Sequence, residues 1–351
     1  MITNLAVIVA PSLIAFLIGI LITPHLTDFL YRNKYWKKVS VGKTIDGREA
    51  TISNKIHNDE ERKTPRMGGL VVWVSVLLTT LVFWLMPALI DNHQLGKANF
   101  LSRNQTWLPL FSLIVMSLVG IVDDYLVIKG RGKYIGGGLS LRTRLVFVLG
   151  IATLGAFWFF FKLGFGDISI PLVGVFHMGM WFIPFFIFVV LATYSGGIID
   201  GVDGLAGGIF AVIFSSYAII AFAHNQIDLA AFCMVIVGGL LAFLWFNIPP
   251  ARFFLSETGT MGLTVTLAVV AFLTGGIAVL PLVAFPLVIT TGSSVIQILS
   301  KRFRNGKKVF IVAPLHNHFQ AKGWPPYKVV MRYWVISVFF ASAGIILALI
   351  G

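Results

Sequence analysis

The sequence predicts an all-α protein that crosses a membrane many times. Three observations carry that expectation. Only 12% of its 351 residues are charged while 57% are hydrophobic. The mean hydropathy is +0.89. Apolar runs of about twenty residues, the length that spans a bilayer, recur from one end of the chain to the other. A soluble domain carries roughly 25% charged residues, so this composition excludes one, and with it disorder, a collagen-like fibre and a disulfide-rich secreted scaffold. The one cysteine, Cys233, lies in an apolar run with no partner for an intramolecular disulfide, so it does not report a redox compartment.

In order, the runs place spans near 5–27, 68–90, 107–126, 145–162, 180–199, 204–223, 229–246, 259–274, 277–299 and 331–350. No Lys or Arg precedes Arg32, so the first run lacks the basic start of a cleavable signal peptide and reads as a retained span. Gly275-Gly276 barely separates the eighth run from the ninth, which Pro281 and Pro286 interrupt. A proline within a membrane helix removes a backbone hydrogen bond and kinks it. Gly120-Ile-Val-Asp123 and Gly197-Ile-Ile-Asp200 echo each other weakly, without amounting to an internal repeat. No linker divides the chain, so residues 1–351 read as a single domain.

The net charge of +13 is a matter of topology. The first loop, from Arg32 to Arg66, holds ten basic residues, and the third holds Lys129, Arg131, Lys133, Arg142 and Arg144. The seventh holds Arg252, and the ninth holds eight, from Lys301 to Arg332. Odd loops thus carry 24 of the 27, against Lys97, Arg103 and Lys162 on even ones. Basic loops face the cytoplasm, which predicts ten spans, both termini outside, and no nucleic-acid partner.

Acidic residues at membrane depth are expensive and point to function. Asp123-Asp124 end the third run; adjacent carboxylates repel, so one takes up a proton unless a cation sits between them. A divalent metal meets that need, and oxygen-only ligands suit Mg²⁺ or Mn²⁺. Asp200 and Asp203 lie in a glycine-rich loop that has no Lys or Arg of its own, and in a helix their spacing would put both on one face. The seventh loop offers Asn247 for hydrogen bonding, Phe254 for stacking on a planar base and Glu257 for metal. The ninth has His316-Asn317-His318, which suits phosphate contact better than a structural zinc, because no further Cys or His completes a tetrahedral set. All of these fall on odd loops and hence on one side. That arrangement suits a soluble phosphorylated substrate meeting a lipid, with phosphoryl transfer driven by positioning and charge neutralisation.

The motifs in order are Thr64-Pro-Arg-Met-Gly-Gly69, Gly120-Ile-Val-Asp-Asp-Tyr-Leu126, Gly138-Leu-Ser-Leu-Arg142, Asp200-Gly-Val-Asp-Gly-Leu-Ala206, Phe246-Asn247 with Thr258-Gly-Thr260, and Ala313-Pro-Leu-His-Asn-His-Phe-Gln320. Together with Lys322-Gly-Trp-Pro-Pro-Tyr-Lys328 they closely resemble the bacterial phospho-N-acetylmuramoyl-pentapeptide transferases, within the wider polyprenyl-phosphate N-acetylhexosamine-1-phosphate transferases. The resemblance spans residues 60 to 340. It implies ten spans with both ends outside, in agreement with the charge count, in the bacterial cytoplasmic (inner) membrane. It also implies Mg²⁺-dependent transfer (with Mn²⁺ as a substitute) of the phospho-sugar from UDP-N-acetylmuramoyl-pentapeptide to undecaprenyl phosphate, giving lipid I and UMP at the first membrane step of peptidoglycan synthesis. By the same resemblance Asp123 and Asp124 are catalytic and near the metal, Glu257 binds metal, and His316 and His318 are catalytic. Thr64, Asp200, Asp203, Asn247 and Phe254 belong to substrate binding, and a homodimer is left open. The sequence departs from the pattern at Glu257 (usually Asp), Asn317 (His), Gly197 (Asn), Val127 (Lys) and Gln320 (acidic), and Thr64-Pro-Arg66 leans toward the N-acetylglucosamine relatives. Two alternatives remain: a relative using another UDP-N-acetylhexosamine, and an inactive paralogue that binds lipid or nucleotide.

Overall fold

The computed structural model describes residues 2–37, 63–89, 99–102, 105–131 and 137–351. Lys38, Lys43, Arg48, Lys55, Arg62, Lys97, Arg103 and Lys133, used above in the charge count, lie outside the described residues. Long apolar segments form helices α1 (Ile2–Arg32), α2 (Gly69–Leu89), α3 (Trp107–Ile128), α4 (Leu141–Phe157) and α5 (Phe182–Ser195). They are followed by α6 (Leu205–Ala223), α7 (Ile227–Asn247) and α8 (Ser256–Leu273). After these come the single turn α9 (Leu280–Val283), α10 (Phe285–Phe303), α11 (Leu315–Ala321) and α12 (Pro326–Ile350). A wider turn, Trp158–Lys162, prolongs α4, and strands β1 (Asp167–Ile170) and β2 (Gly174–His177) form an antiparallel hairpin between α4 and α5.

Nine segments among the described residues are long and apolar enough to cross a membrane. The expected run 277–299 is not among them. Its chain turns at Gly275, where φ is +70, makes α9, breaks at Ala284 and restarts as α10 with Pro286 in the first turn. Proline is tolerated there because the first-turn N–H groups have no intrahelical acceptor to lose. α10 buries Thr290, Ser293, Gln297 and Ser300 and exposes Val295, Ile296, Ile298 and Leu299. Its polar stripe holds the ninth loop: Gln297 accepts from the N–H groups of Val309 and Phe310 and donates to the Phe310 carbonyl, and Ser300 donates to Lys307.

α8 is the central element. Every residue of it is buried except Glu257. α1, α4 and α12 form the outside and expose Leu13, Leu17, Leu21, Val146, Leu154, Val335 and Phe339. Such a surface suits acyl chains rather than water. A bilayer offers no hydrogen bonds, so buried helix ends must be satisfied from within. At the far end of α8, Gln226 donates to the Leu273 carbonyl, and the His224 ring and the Tyr217 hydroxyl meet the Thr274 and Gly276 carbonyls.

The near end of α8 is pinned by close backbone approach. A Cβ on Gly120 of α3 would stand 2.1 Å from the Glu257 carbonyl oxygen, and one on Gly69 of α2 would stand 2.2 Å from the Gly259 nitrogen. Gly120→Ala therefore overpacks α3 against α8, at a cost of about 1–3 kcal/mol. Its melting temperature in detergent should fall, whereas Gly150→Ala, which meets nothing within 4 Å, should match the parent or exceed it.

Candidate active site

Asp123 and Asp124 sit in the last turns of α3 with no exposed surface. Their mutual repulsion is answered by giving each its own guanidinium. Asp124 accepts from Arg66 Nε at 2.8 Å, from the Thr258 N–H at 3.0 Å and from Thr258 Oγ1 at 2.6 Å. Asp123 accepts from the Leu139 N–H at 2.7 Å and from Arg144 Nη2 at 2.9 Å. Arg144 reaches on to Glu257, with Nη1 2.6 Å from Oε1, so one guanidinium ties α3 to α8. Thr260 Oγ1 donates to the other Glu257 oxygen at 3.3 Å, and the Tyr194 hydroxyl bonds to Arg144.

Local structure fixes both arginines. The segment before α2 pairs with the segment before α8: the Phe254 N–H donates to Pro65, and the Gly68 and Gly69 N–H groups donate to Phe254 and Leu255. Arg66 lies within that pairing, and its own N–H donates to the Tyr35 carbonyl at 2.9 Å. Arg144 stands in the first turn of α4, where the Ser140 hydroxyl caps the Thr143 N–H at 3.2 Å. A cation at a helix N-terminus opposes the helix dipole, so this position is favoured only by the carboxylates it meets.

Between these groups lies a cavity of about 320 Å³ lined by Arg66, Arg144, Tyr194, Asp200, Ser256 and Glu257, with Gly197 and Thr260. Asp200 accepts from the Ser256 N–H at 2.7 Å. Ser256 has φ +58, the left-handed region that non-glycine residues enter at a cost, as strained backbone at functional sites often does. Burial pushes the Asp200 carboxyl up to about 6, opposed by the Ser256 N–H and Arg66 and reinforced by Glu257 and Asp124.

The other residues singled out from sequence do not line the cavity. Asp203 accepts from the Ala251 N–H at 3.1 Å. Asn247 is buried, and both ends of its amide are engaged: Oδ1 accepts from the Gly204 N–H and Nδ2 donates to the Phe253 carbonyl, each at 2.8 Å. It braces the Asp200–Gly204 turn against the seventh loop. Phe254 is half-buried, and its backbone serves the Pro65–Gly68 pairing. His316 is buried against Gly201, where an added Cβ would stand 2.7 Å from its Nε2. His318 lies farther out; its Nδ1 accepts from the Ile311 N–H, and burial, with Lys322 second, lowers its pKa. Thr64 is half-buried two residues before Arg66.

Arg66, Arg144, Tyr194 and Thr258 were not among the site residues expected from sequence. Arg144 left a signal: Arg142 and Arg144 at the start of a helix need an electrostatic reason. Arg66 and Thr258 lie within the Thr64–Gly69 and Thr258–Thr260 motifs, whereas Tyr194 left no signal.

Asp200 gives a pH dependence with a definite sign. Its folded-state pKa lies above the ordinary 3.8, so the folded state holds the proton more tightly than the unfolded chain. That stabilisation is complete below about pH 4 and is lost as pH rises through about 6. Asp200→Asn keeps the acceptor for Ser256 and removes the charge. Its melting temperature relative to the parent should rise between pH 5 and pH 7, and a pH-independent difference would contradict the assignment.

The description of glycosyl transferase family 4 matches residues 106–275, from the start of α3 to the end of α8. The phospho-N-acetylmuramoyl-pentapeptide-transferase of Geobacillus sp. (strain WCH70) is 30% identical over 343 residues, which is 97% of each chain. That of Anoxybacillus flavithermus (strain DSM 21510 / WK1) is 31% identical over 97% of this chain and 98% of its own. That of Bacillus cereus (strain AH187) is 32% identical over 95% of each. With identity at this level along nearly the whole length, the chain belongs to the phospho-N-acetylmuramoyl-pentapeptide transferase family.

Proposed function

We propose that this multi-pass membrane transferase moves phospho-N-acetylmuramoyl-pentapeptide from its UDP carrier to undecaprenyl phosphate, giving lipid I and UMP. One observation carries the reading: Arg66 and Arg144 line one cavity together with Asp200 and Glu257, and the same two guanidiniums pair with the buried Asp123 and Asp124 of α3 behind its wall. An oxygen of the acceptor phosphate forms a bond to the sugar-bearing phosphorus of the donor, and the bond from that phosphorus to UMP breaks. No proton need move if the acceptor enters as its dianion. Charge spreads over phosphoryl oxygens in such a step, and preorganised cations at that point lower its barrier. Arg66 and Arg144 are in place to meet those oxygens, and the Tyr194 hydroxyl to orient Arg144. Asp200, Asp203, Asn247 and Phe254 shape the nucleotide side with Thr64, and His316 supports the Gly201 turn from beneath, with His318 beyond it.

The donor set fits Mg²⁺, with Mn²⁺ as a substitute. It is all oxygen, and Asp123, Asp124, Asp200 and Glu257 exceed Arg66 and Arg144 by two negative charges. No three metal-binding side chains cluster among the described residues, but Mg²⁺ commonly takes one or two carboxylates and completes its shell with water and substrate phosphates. Glu257, whose carboxylate lines the cavity, would hold it, with Asp123 and Asp124 adding negative charge behind Arg144 and Arg66, and there it would neutralise charge on the phosphates.

The α9–α10 pair supplies a tenth crossing. With the basic loops inside, both termini lie outside and the cavity opens to the cytoplasm at the bacterial inner membrane, as a soluble nucleotide donor requires. A homodimer is compatible with this arrangement.

Purified protein with undecaprenyl phosphate and labelled UDP-N-acetylmuramoyl-pentapeptide or UDP-N-acetylglucosamine tests the reading. Transfer from the first donor alone is expected; transfer from the second alone would move the chain to another sugar. Asp123→Asn and Asp124→Asn should each lower kcat by about 10² or more. Glu257→Gln should abolish Mg²⁺-dependent turnover while Glu257→Asp retains part of it. Turnover by Glu257→Gln at the parent rate would refute the metal assignment.

A further inference from the structure

The hairpin between α4 and α5 has no part in the transfer chemistry. α4 begins beside Arg144 and, with its terminal turn, runs 22 residues to Lys162. At 1.5 Å per residue that puts the hairpin about 30 Å from the carboxylates, at the opposite end of the helices. Its register is Asp167 with His177, Ile168 with Phe176, Ser169 with Val175 and Ile170 with Gly174. Side chains alternate along a strand and paired residues share a face. One face therefore carries Ile168, Ile170 and Phe176. The other carries Asp167, Ser169, Val175 and His177, with the His177 Nδ1 and the Asp167 Oδ1 2.9 Å apart.

Protein covers the hairpin's apolar surface at Ile168, which is 8% exposed, and in part at Ile170, but not beyond them. Phe176 is 58% exposed, and the tip residues Leu172 and Val173 are 74% and 81% exposed. Pro171 and Gly174 are ordinary turn residues, but the two between them are Leu172 and Val173, and Leu172 takes φ +66, a conformation rare for a bulky apolar residue. The exposed surface continues through Met180, Trp181 and Phe188 of the α5 approach and Trp158 and Phe161 at the end of α4. Those flank segments that face acyl chains. Phe176, Met178, Trp181, Pro184, Phe185 and Phe188 also line an open, mostly apolar pocket of about 420 Å³, with His177 at its edge toward the polar face.

We propose that this hairpin is a membrane-inserted anchor, lying at the boundary between headgroups and acyl chains in the leaflet remote from the cavity. Its Phe176 face and Leu172–Val173 tip enter the acyl layer, its Asp167–His177 face meets water, and a phospholipid chain fills the pocket. Trp181 lies where tryptophan concentrates in membrane proteins, with its apolar body in lipid and its N–H at the wet edge. Lipid is favoured over a protein partner because the exposed face is continuous with the lipid-facing helices and because polar residues are confined to the other side of the hairpin.

Nitroxide labels on single cysteines test this. Cys233 is the only native cysteine and is fully buried, so Val173→Cys, Phe176→Cys and Ser169→Cys can be labelled selectively in the full chain. In phosphatidylglycerol/phosphatidylethanolamine vesicles, collision with oxygen should exceed collision with a water-soluble nickel chelate several-fold at 173 and 176. Ser169 should show the reverse. Preferential chelate access at 173 would place the hairpin in water and overturn the proposal. Protection of 173 from both reagents would mean a protein partner, a second copy included, and would overturn it equally. If the Phe176 variant fails to fold, Val173 lies at an open tip and decides the matter alone.

Discussion

Two carboxylates on consecutive residues of a buried helix end cannot both stay charged unless each is given a cation of its own. Most of what surrounds the cavity follows from that constraint. Asp123 and Asp124 diverge from α3 to two different guanidiniums, drawn from segments far apart in the chain. Burying one such charge without a partner costs several kcal/mol, which is enough to decide how the loops at that end are arranged. Arg66 comes from the segment before α2 and Arg144 from the first turn of α4. Both therefore have to converge on α3 and α8, and the backbone pairing of Pro65–Gly69 with Phe254–Leu255 makes that convergence rigid.

The membrane adds a second constraint. In lipid, helices associate through close packing rather than through hydrophobic exclusion, and the start of α8 is held where Gly120 and Gly69 let backbones nearly touch. α8 is thereby enclosed on all sides, and Glu257 is the one residue it leaves uncovered. A group whose backbone is fixed on the core helix and whose carboxylate faces the cavity is well suited to work on a phosphate, since a preorganised charge does not have to reorient at the moment of reaction.

Much of this was legible in the sequence. Hydropathy located the long helices to within a few residues, because twenty apolar residues in a row have few alternatives. Asp123, Asp124, Asp200 and Glu257 stood out because a carboxylate among apolar residues is costly and needs a reason. The ninth run is less regular than its hydropathy suggests: it breaks at Ala284, and Thr290, Ser293, Gln297 and Ser300 give α10 a polar stripe that the ninth loop fills. The hairpin was hidden because four-residue strands carry almost no periodic signal. Asn247 was read for its hydrogen-bonding capacity, and it is the fold that consumes that capacity. Arg66 and Arg144 counted as topological charge, although Arg66 lies in the Thr64–Gly69 motif and Arg144 at the start of a helix, and it is the three-dimensional pairing that assigns each its aspartate.

The dependence of this end of the molecule on separately compensated aspartates is tested most directly by a double-mutant cycle on Arg66 and Asp124, read as thermal stability in detergent. Arg66→Met leaves a buried carboxylate without its cation, and Asp124→Asn leaves a guanidinium without its anion, so each should lower the melting temperature clearly. The double variant removes both charges and should recover a large part of the loss, with a coupling of about 3 kcal/mol or more. Strictly additive losses would show that the two side chains do not stabilise each other and would contradict the account.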